Sequence, residues 1–382
     1  MKIIILGSDG YIGYPLFTHL KSLGHEVYGI DDYSRRKLVH SLTGATSLTP
    51  INQRPSLFTR ANVGSNYNAL VYYLKEIQPD TIVHLAQQPS APWSMQSVDH
   101  AVDTQVDNIT STLHIIWAMK EACPTAHLVK LGSMGEYGTP ECDIPEGEIP
   151  NFCSDIRMEG KQCPMSGLPF PRSPFSFYHL SKVHDTHNII FASKNWELTC
   201  TDIMQGVVFG VSVTDSETDK ELTRFDYDQY FGTAINRFCA QAISGHNLTV
   251  YGDGSQTRGF LPLKDSIQCL TLAITNPPHQ GEYRTLNQFE NIYSIWSLAK
   301  MVVKASFELG IGVQIENLPN PRIEKSNHYY RPAHKKLFNL GYIPTTGIFQ
   351  EIKSLITDIL PYQSNINKSV FMPTTMWNEA IK

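Results

Sequence analysis

Tyr178 and Lys182 stand four residues apart in Tyr-His-Leu-Ser-Lys, a spacing that puts both on one face of a helix. An ammonium beside a phenol stabilises the phenolate and draws the tyrosine pKa from about 10 toward neutrality. On that reading Tyr178 is a base for a substrate hydroxyl, and Ser133, just past the apolar run His127–Leu131, offers a hydroxyl to the same oxygen. His179 is a candidate acid/base because imidazole titrates near neutral pH, and a plain helix-surface residue is the equal alternative. His184 and His187 share a helix face but lack a third ligand, so no metal site is expected.

A second constellation lies near the start of the chain. Gly7-Ser-Asp-Gly10-Tyr-Ile-Gly13 follows the apolar run Met1–Leu6 and precedes a helical pattern. Glycines there permit a tight turn and let a pyrophosphate reach backbone N–H groups at a helix N-terminus. Asp31, eighteen residues past Gly13, ends the next apolar run and suits a ribose hydroxyl while repelling a 2′-phosphate. The pair predicts dinucleotide binding, with NAD favoured. Arg35 and Arg36 could accept a 2′-phosphate, stack on adenine or touch the diphosphate.

These residues need a scaffold, and the hydrophobic pattern supplies one. Met1–Leu6, Glu26–Ile30, Thr81–Ala86, His127–Leu131 and Glu197–Met204 read as strands; Tyr14–Leu23, Ala69–Ile77, Ile109–Glu121 and Tyr178–Lys194 read as helices. This alternation predicts an α/β fold, a Rossmann-type doubly wound parallel sheet covered on both faces. Residues 1–205 form the expected dinucleotide domain. A smaller C-terminal α/β substrate-binding domain takes up 206–382, either separate from the first or interleaved with it. Within it Leu248–Tyr251 and Tyr283–Leu286 read as strands, Ile295–Leu309 and Ile348–Leu360 as helices. Three stretches read as long loops, Asp32–Arg60, Thr139–Phe177 and Ser212–Tyr230. The middle one holds seven prolines, and long loops in a domain are commonly functional.

Composition removes other classes. The chain has 382 residues, is 41% hydrophobic and carries a net charge of −5 without a long basic run, which argues against a nucleic-acid partner. Its apolar runs are too short to span a bilayer. Seven cysteines without a Cys-x-x-Cys pair speak against a disulfide framework or a zinc site. With no leader-like segment at Met1, a cytoplasmic protein is expected. Only 18% of residues are charged, below the usual quarter, as suits a two-sided buried sheet.

Together, the glycine turn, Ser133 and the Tyr178–Lys182 pair resemble the extended short-chain dehydrogenase/reductase family of sugar-nucleotide epimerases and dehydratases. Segments such as Lys130–Pro140 (KLGSMGEYGTP), Phe177–Asn188 (FYHLSKVHDTHN), Leu248–Gly259 and Asn320-Pro-Arg322 extend the likeness over nearly the whole chain. They bring it closest to the branch that sulfonates a UDP-sugar. The resemblance implies NAD held by Gly7, Asp9, Gly10, Tyr11, Ile12, Gly13, Asp31, Asp32, Arg35, Asn62, Val63, Leu85, Gln87, Asn108, Tyr178 and Lys182. It implies a sugar nucleotide held by Ser133, Gln205, Thr249, Tyr251, Arg258 and Arg322, with Ser133, Tyr178, His179 and Lys182 catalytic.

The implied chemistry is oxidation at C4, elimination across C5–C6, sulfite addition and re-reduction at C4, in a homodimer formed through helices 109–121 and 178–194. Five positions depart from that branch. Gln87-Gln88-Pro89 stands for Glu-Gln-Arg, Ser133 for threonine, Met204 for asparagine and Asn62 for aspartate. An epimerase or 5,6-dehydratase acting on another nucleotide sugar or a nucleoside, without sulfite, is the alternative.

Overall fold

Lys2–Leu6 contains three consecutive isoleucines, and Ile3, Ile4, Ile5 and Leu6 are all fully buried in the computed structural model. β-Branched side chains pack well on both faces of a pleated strand. Successive residues point to opposite faces, so Ile3 and Ile5 join one core while Ile4 and Leu6 join another. The structure describes residues 1–382 apart from 52–54, 56–57, 150–167, 215–220, 323–327 and 378–382.

The strands are β1 (Lys2–Leu6), β2 (Glu26–Asp31), β3 (Phe58–Arg60), β4 (Thr81–His84), β5 (His127–Ser133), β6 (Thr199–Gln205), β7 (Val207–Phe209), β8 (Leu248–Tyr251), β9 (Thr257–Pro262), β10 (Tyr283–Gln288), β11 (Asn291–Ser294) and β12 (Ile315–Leu318). The helices are α1 (Gly13–Ser22), α2 (Ser34–Thr43), α3 (Tyr67–Ile77), α4 (Ala91–Ser94), α5 (Val98–Ala122), α6 (Phe177–Trp196), α7 (Ala234–Ile243), α8 (Leu263–Thr275), α9 (Ile295–Glu308), α10 (Lys335–Asn339) and α11 (Ile348–Ile359).

Seven parallel strands form the main sheet in the order β10-β6-β5-β4-β1-β2-β3. The chain leaves β1 toward β2 and β3, then crosses back to β4, which makes β1/β4 a switch point where a crevice opens beyond the strand ends. Helices α1 and α8 cover one face around Leu16, Leu20 and Leu270, and α3, α5 and α6 cover the other around Leu74, Ile115 and Ile189. Each such buried aliphatic side chain contributes roughly 1.5–3 kcal/mol relative to exposure. A third core, around Phe238, Val302 and Ile356, holds α7, α9 and α11 together with β8. Smaller sheets of β11-β9-β7 and β12-β8 complete the C-terminal half.

Two expectations change. The stretch 32–60, read as a loop, contains α2 and β3. Helix α5 begins at Val98 instead of Ile109. Strand β10, from the second half of the chain, pairs with β6 in the main sheet. Much of the proline-rich loop, with Cys153 and Cys163, lies outside the described residues. Among the described residues no helix is long and apolar enough to cross a membrane.

Candidate active site

At the end of β1, Gly7 adopts φ +85°, in the left-handed region that glycine enters without strain, and its amide donates to Ile30 O at 2.8 Å. A Cβ on Gly13 would lie 2.1 Å from the Gly7 carbonyl oxygen, so only glycine lets α1 start this close to β1. No side chain caps that start, so its N–H dipoles face the crevice. Asp31 receives hydrogen bonds from the backbone N–H of Asp9 (2.8 Å) and of Tyr33 (2.7 Å), and burial raises its pKa. Asn62 Nδ2 donates to Asp32 at 2.9 Å. A glycine cradle, an open helix start and a fixed carboxylate fit the pyrophosphate and ribose of a dinucleotide.

Both neighbouring arginines are engaged elsewhere. Arg35 pairs with Asp226 at 2.8 Å and lies 3.6 Å over the Phe231 ring; Arg36 makes two bonds of 2.6 Å to Asp9. Asp9 is therefore buried under Arg36 and does not line the crevice.

The crevice is a cavity of about 510 Å³. Its walls include Gly7, Gly10, Tyr11, Ile12, Gly13, Asp31, Asp32, Arg35, Asn62, Val63, Leu85 and Gln87 from the dinucleotide set. Ser133, Tyr178, His179, Lys182, Gln205, Tyr251, Arg258 and Arg322 line the same space. Three expected contacts stand behind it instead. Besides Asp9, Asn108 is fully buried and holds the loop after β4, accepting from Gln88 N at 2.8 Å and donating to Gln88 O at 3.1 Å. Thr249 is buried and accepts from Gln241 Nε2 at 2.8 Å.

Helix α6 positions the candidate catalytic group. Its N-cap Ser176 accepts from the His179 backbone N–H at 3.2 Å, and its hydroxyl meets His179 Nδ1 at 2.9 Å. The imidazole rests against Gly135, where a Cβ would come within 2.3 Å of Nε2. Burial, then the charges of Arg322 and Arg258, push the His179 pKa down to about 3, so the ring is neutral at pH 7. One turn on, Lys182 Nζ donates to Leu131 O at 2.7 Å and to the Gln87 side-chain oxygen. Burial and the charge of Lys130 lower the Lys182 pKa to about 8.

The expected activation of Tyr178 is absent from the protein alone. Lys182 Nζ lies 5.7 Å from the Tyr178 ring centre, and burial with the charges of Glu136 and Asp185 raises the phenol pKa. Desolvation is the largest cause.

Behind Ser133 lies a buried ionic cluster. Ser133 N donates to Glu136 Oε1 at 3.0 Å, and Ser133 Oγ accepts from Gly135 N at 3.1 Å. Lys130, fully buried, pairs with Glu136 (3.5 Å) and Asp202 (3.2 Å). Burial pushes the Glu136 carboxyl up, but Lys130 and Arg172 hold it below its ordinary value. Arg172 stacks 4.3 Å over Tyr137 and donates to Met204 Sδ at 3.5 Å. Met204 thus backs the site without lining it.

Sequence reasoning missed Arg237, Gln256 and Trp377, which line the cavity too. Arg237 had a visible signal, a lone cation on the buried helix α7, where it donates to Tyr251 OH at 3.0 Å. With Arg258 and Arg322 it gives this wall three guanidinium groups suited to phosphate oxygens.

The profile of the NAD dependent epimerase/dehydratase family matches residues 3–287. The UDP-sulfoquinovose synthase of Sulfolobus acidocaldarius is 43% identical to this chain, over 99% of it and 98% of the relative. The chloroplastic UDP-sulfoquinovose synthase of Spinacia oleracea is 42% identical, over 99% of this chain and 79% of the relative. Among solved structures, the UDP-glucose 4-epimerase of Thermotoga maritima with UDP-glucose superposes with a TM-score of 0.70 at 17% identity, over 94% of this chain and 98% of that one.

Proposed function

The chain belongs to the NAD dependent epimerase/dehydratase family, and from that premise we propose that it oxidises a UDP-sugar at C4, eliminates water across C5–C6, adds sulfite at C6 and re-reduces C4. It is an NAD-dependent sugar-nucleotide enzyme similar to the UDP-sulfoquinovose synthases. The observation that carries the reading is one cavity joining the dinucleotide turn, Ser133–Tyr178–His179–Lys182, and Arg258 with Arg322.

Gly7–Gly13 and Asp31 would hold NAD, which when bound accepts a hydride from C4 and later returns it. Tyr178 would take the proton of the C4 hydroxyl as a phenolate, a form that the positive charge of a bound nicotinamide, with Lys182, would stabilise against the burial that raises its pKa in the protein alone, while Ser133 hydrogen-bonds the same oxygen. Lys182 orients the site through Leu131 O and Gln87. The resulting ketone acidifies the C5 proton. His179, neutral and held by Ser176, takes that proton and passes it to the departing 6-hydroxyl, releasing water and leaving a C5–C6 double bond. The sulfur of sulfite then bonds to C6 and a proton returns to C5. Arg258 and Arg322 hold the diphosphate bidentately.

Incubation with UDP-glucose in D₂O, with and without sulfite, tests this by mass spectrometry. The expected product carries deuterium at C5 and, with sulfite, a sulfonate in place of the 6-hydroxyl. Exchange at C5 without sulfonation would leave the dehydratase alternative, and no exchange would sink both for this substrate.

A homodimer forms part of the proposal. Val98, Val102 and Val106 recur every four residues on α5 and are 73, 52 and 59% exposed, beside exposed Phe177 and Phe191 on α6. Such an apolar face suits a second copy of the chain. Light scattering should give twice the chain mass, and Val102→Glu should return the monomer. Cytoplasmic placement is likewise a proposal, supported by the buried free thiols Cys123, Cys200, Cys239 and Cys269.

A further inference from the structure

After α11 the chain returns to the cavity wall, which Trp377 lines. Gln229 N donates to Val370 O at 2.9 Å, Thr374 Oγ1 donates to the Gln229 side-chain oxygen at 3.0 Å, and Tyr230 OH meets Thr374 Oγ1 at 2.9 Å. Three residues on, Trp377 N donates to Pro321 O at 2.8 Å. Residues 370–377 thus tie the 229–230 loop to the 321–322 loop, and Gln229, Tyr230, Arg322 and Trp377 all line the cavity. The Arg322 guanidinium lies 5.5 Å from the centre of the Trp377 ring.

We propose that Trp377 is a nucleotide-binding residue, whose indole orients the Arg322 guanidinium toward the diphosphate and walls the nucleoside end of the substrate. The inference rests on the UDP-sugar reading above. An aromatic face attracts a cation and restrains the plane in which its N–H groups point, while its other edge offers apolar surface to a ribose or base. Loss of the indole would remove this aromatic restraint on Arg322 and open the cavity to water at that wall. The hydrogen bond from Trp377 N to Pro321 O comes from the backbone, so side-chain substitution leaves the strap anchored.

The test is UDP binding to the full chain by calorimetry and by tryptophan fluorescence. Of the five tryptophans (93, 117, 196, 296 and 377), Trp377 alone lines the cavity among the described residues. UDP should change the emission of the wild type, and Trp377→Phe should abolish that change while binding within about threefold of wild type. Trp377→Ala should bind UDP roughly tenfold more weakly and raise KM with kcat little altered. Melting temperatures of both variants check that the fold survives. Wild type that binds no UDP would overturn the substrate reading itself. Wild type that binds UDP, with Trp377→Ala binding within twofold of it or Trp377→Phe keeping the full emission change, would overturn the role of Trp377 alone.

Discussion

Gln87 joins two ionisable groups of α6, accepting from Lys182 Nζ and donating to Asp185 Oδ2 at 2.6 Å. As an amide it leaves the charge of Lys182 poorly compensated, consistent with a pKa lowered to about 8. A carboxylate there would favour the ammonium. Gln87→Glu should therefore move the alkaline limb of the kcat–pH profile upward by about one unit, read from initial rates between pH 6 and 10. An unchanged limb would show that Lys182 does not govern it. Tyr178→Phe should cut kcat by about 10²- to 10⁴-fold with nucleotide binding retained, measured by turnover and calorimetry. Arg35 pairs with Asp226 and Arg36 with Asp9, so each guanidinium already has an anion beside it.

Among the elements, the β1–α1 turn is the most tightly determined. Gly13→Ala would press a methyl into the Gly7 carbonyl oxygen, and overpacking of this kind costs about 1–3 kcal/mol. The expected outcome is a lower melting temperature and loss of co-purifying dinucleotide absorbance. That turn was legible because a tight approach demands glycine at fixed spacing. The start of α5 was not. Val98–Gln105 presents Asp99, Asp103 and Gln105 with exposed valines, so its first turns lack the apolar period that marks a helix against a core. Helix α2 escaped for a similar reason, since only Val39 of its ten residues is fully buried. Trp377 was invisible because Arg322, beside it, and Tyr230, which meets Thr374 of the same segment, are remote in sequence, and only folding brings them together.

At the scale of the molecule, burial sets the response to acid. His127 is buried, and desolvation followed by the charge of Arg284 lowers its pKa to about 3, against 6.5 when unfolded. The unfolded chain therefore binds the extra proton between pH 6.5 and 3, and this stability is lost as pH falls through that window. At pH 5 the loss is about 2 kcal/mol. His127→Gln, which keeps a donor for Thr201, should narrow the difference in unfolding free energy between wild type and variant by about that amount from pH 7 to 5, measured by urea titration.

Strand β10 has a consequence for how such a protein can be inherited. It carries Tyr283–Gln288 into register with Cys200–Gln205, so the edge of the sheet is supplied by sequence lying beyond α7, α8 and three strands of the smaller sheets. A fragment ending at residue 205 should leave β6 with an unpaired edge and precipitate on expression. Recombination between relatives faces the same constraint. A crossover near residue 206 would give one parent's β6 the other parent's β10, and Asn287, which accepts from Tyr137 OH at 3.0 Å, would meet a foreign partner. Substrate preference in this architecture therefore evolves by point changes around a shared cavity more readily than by exchange of one half of the gene for another.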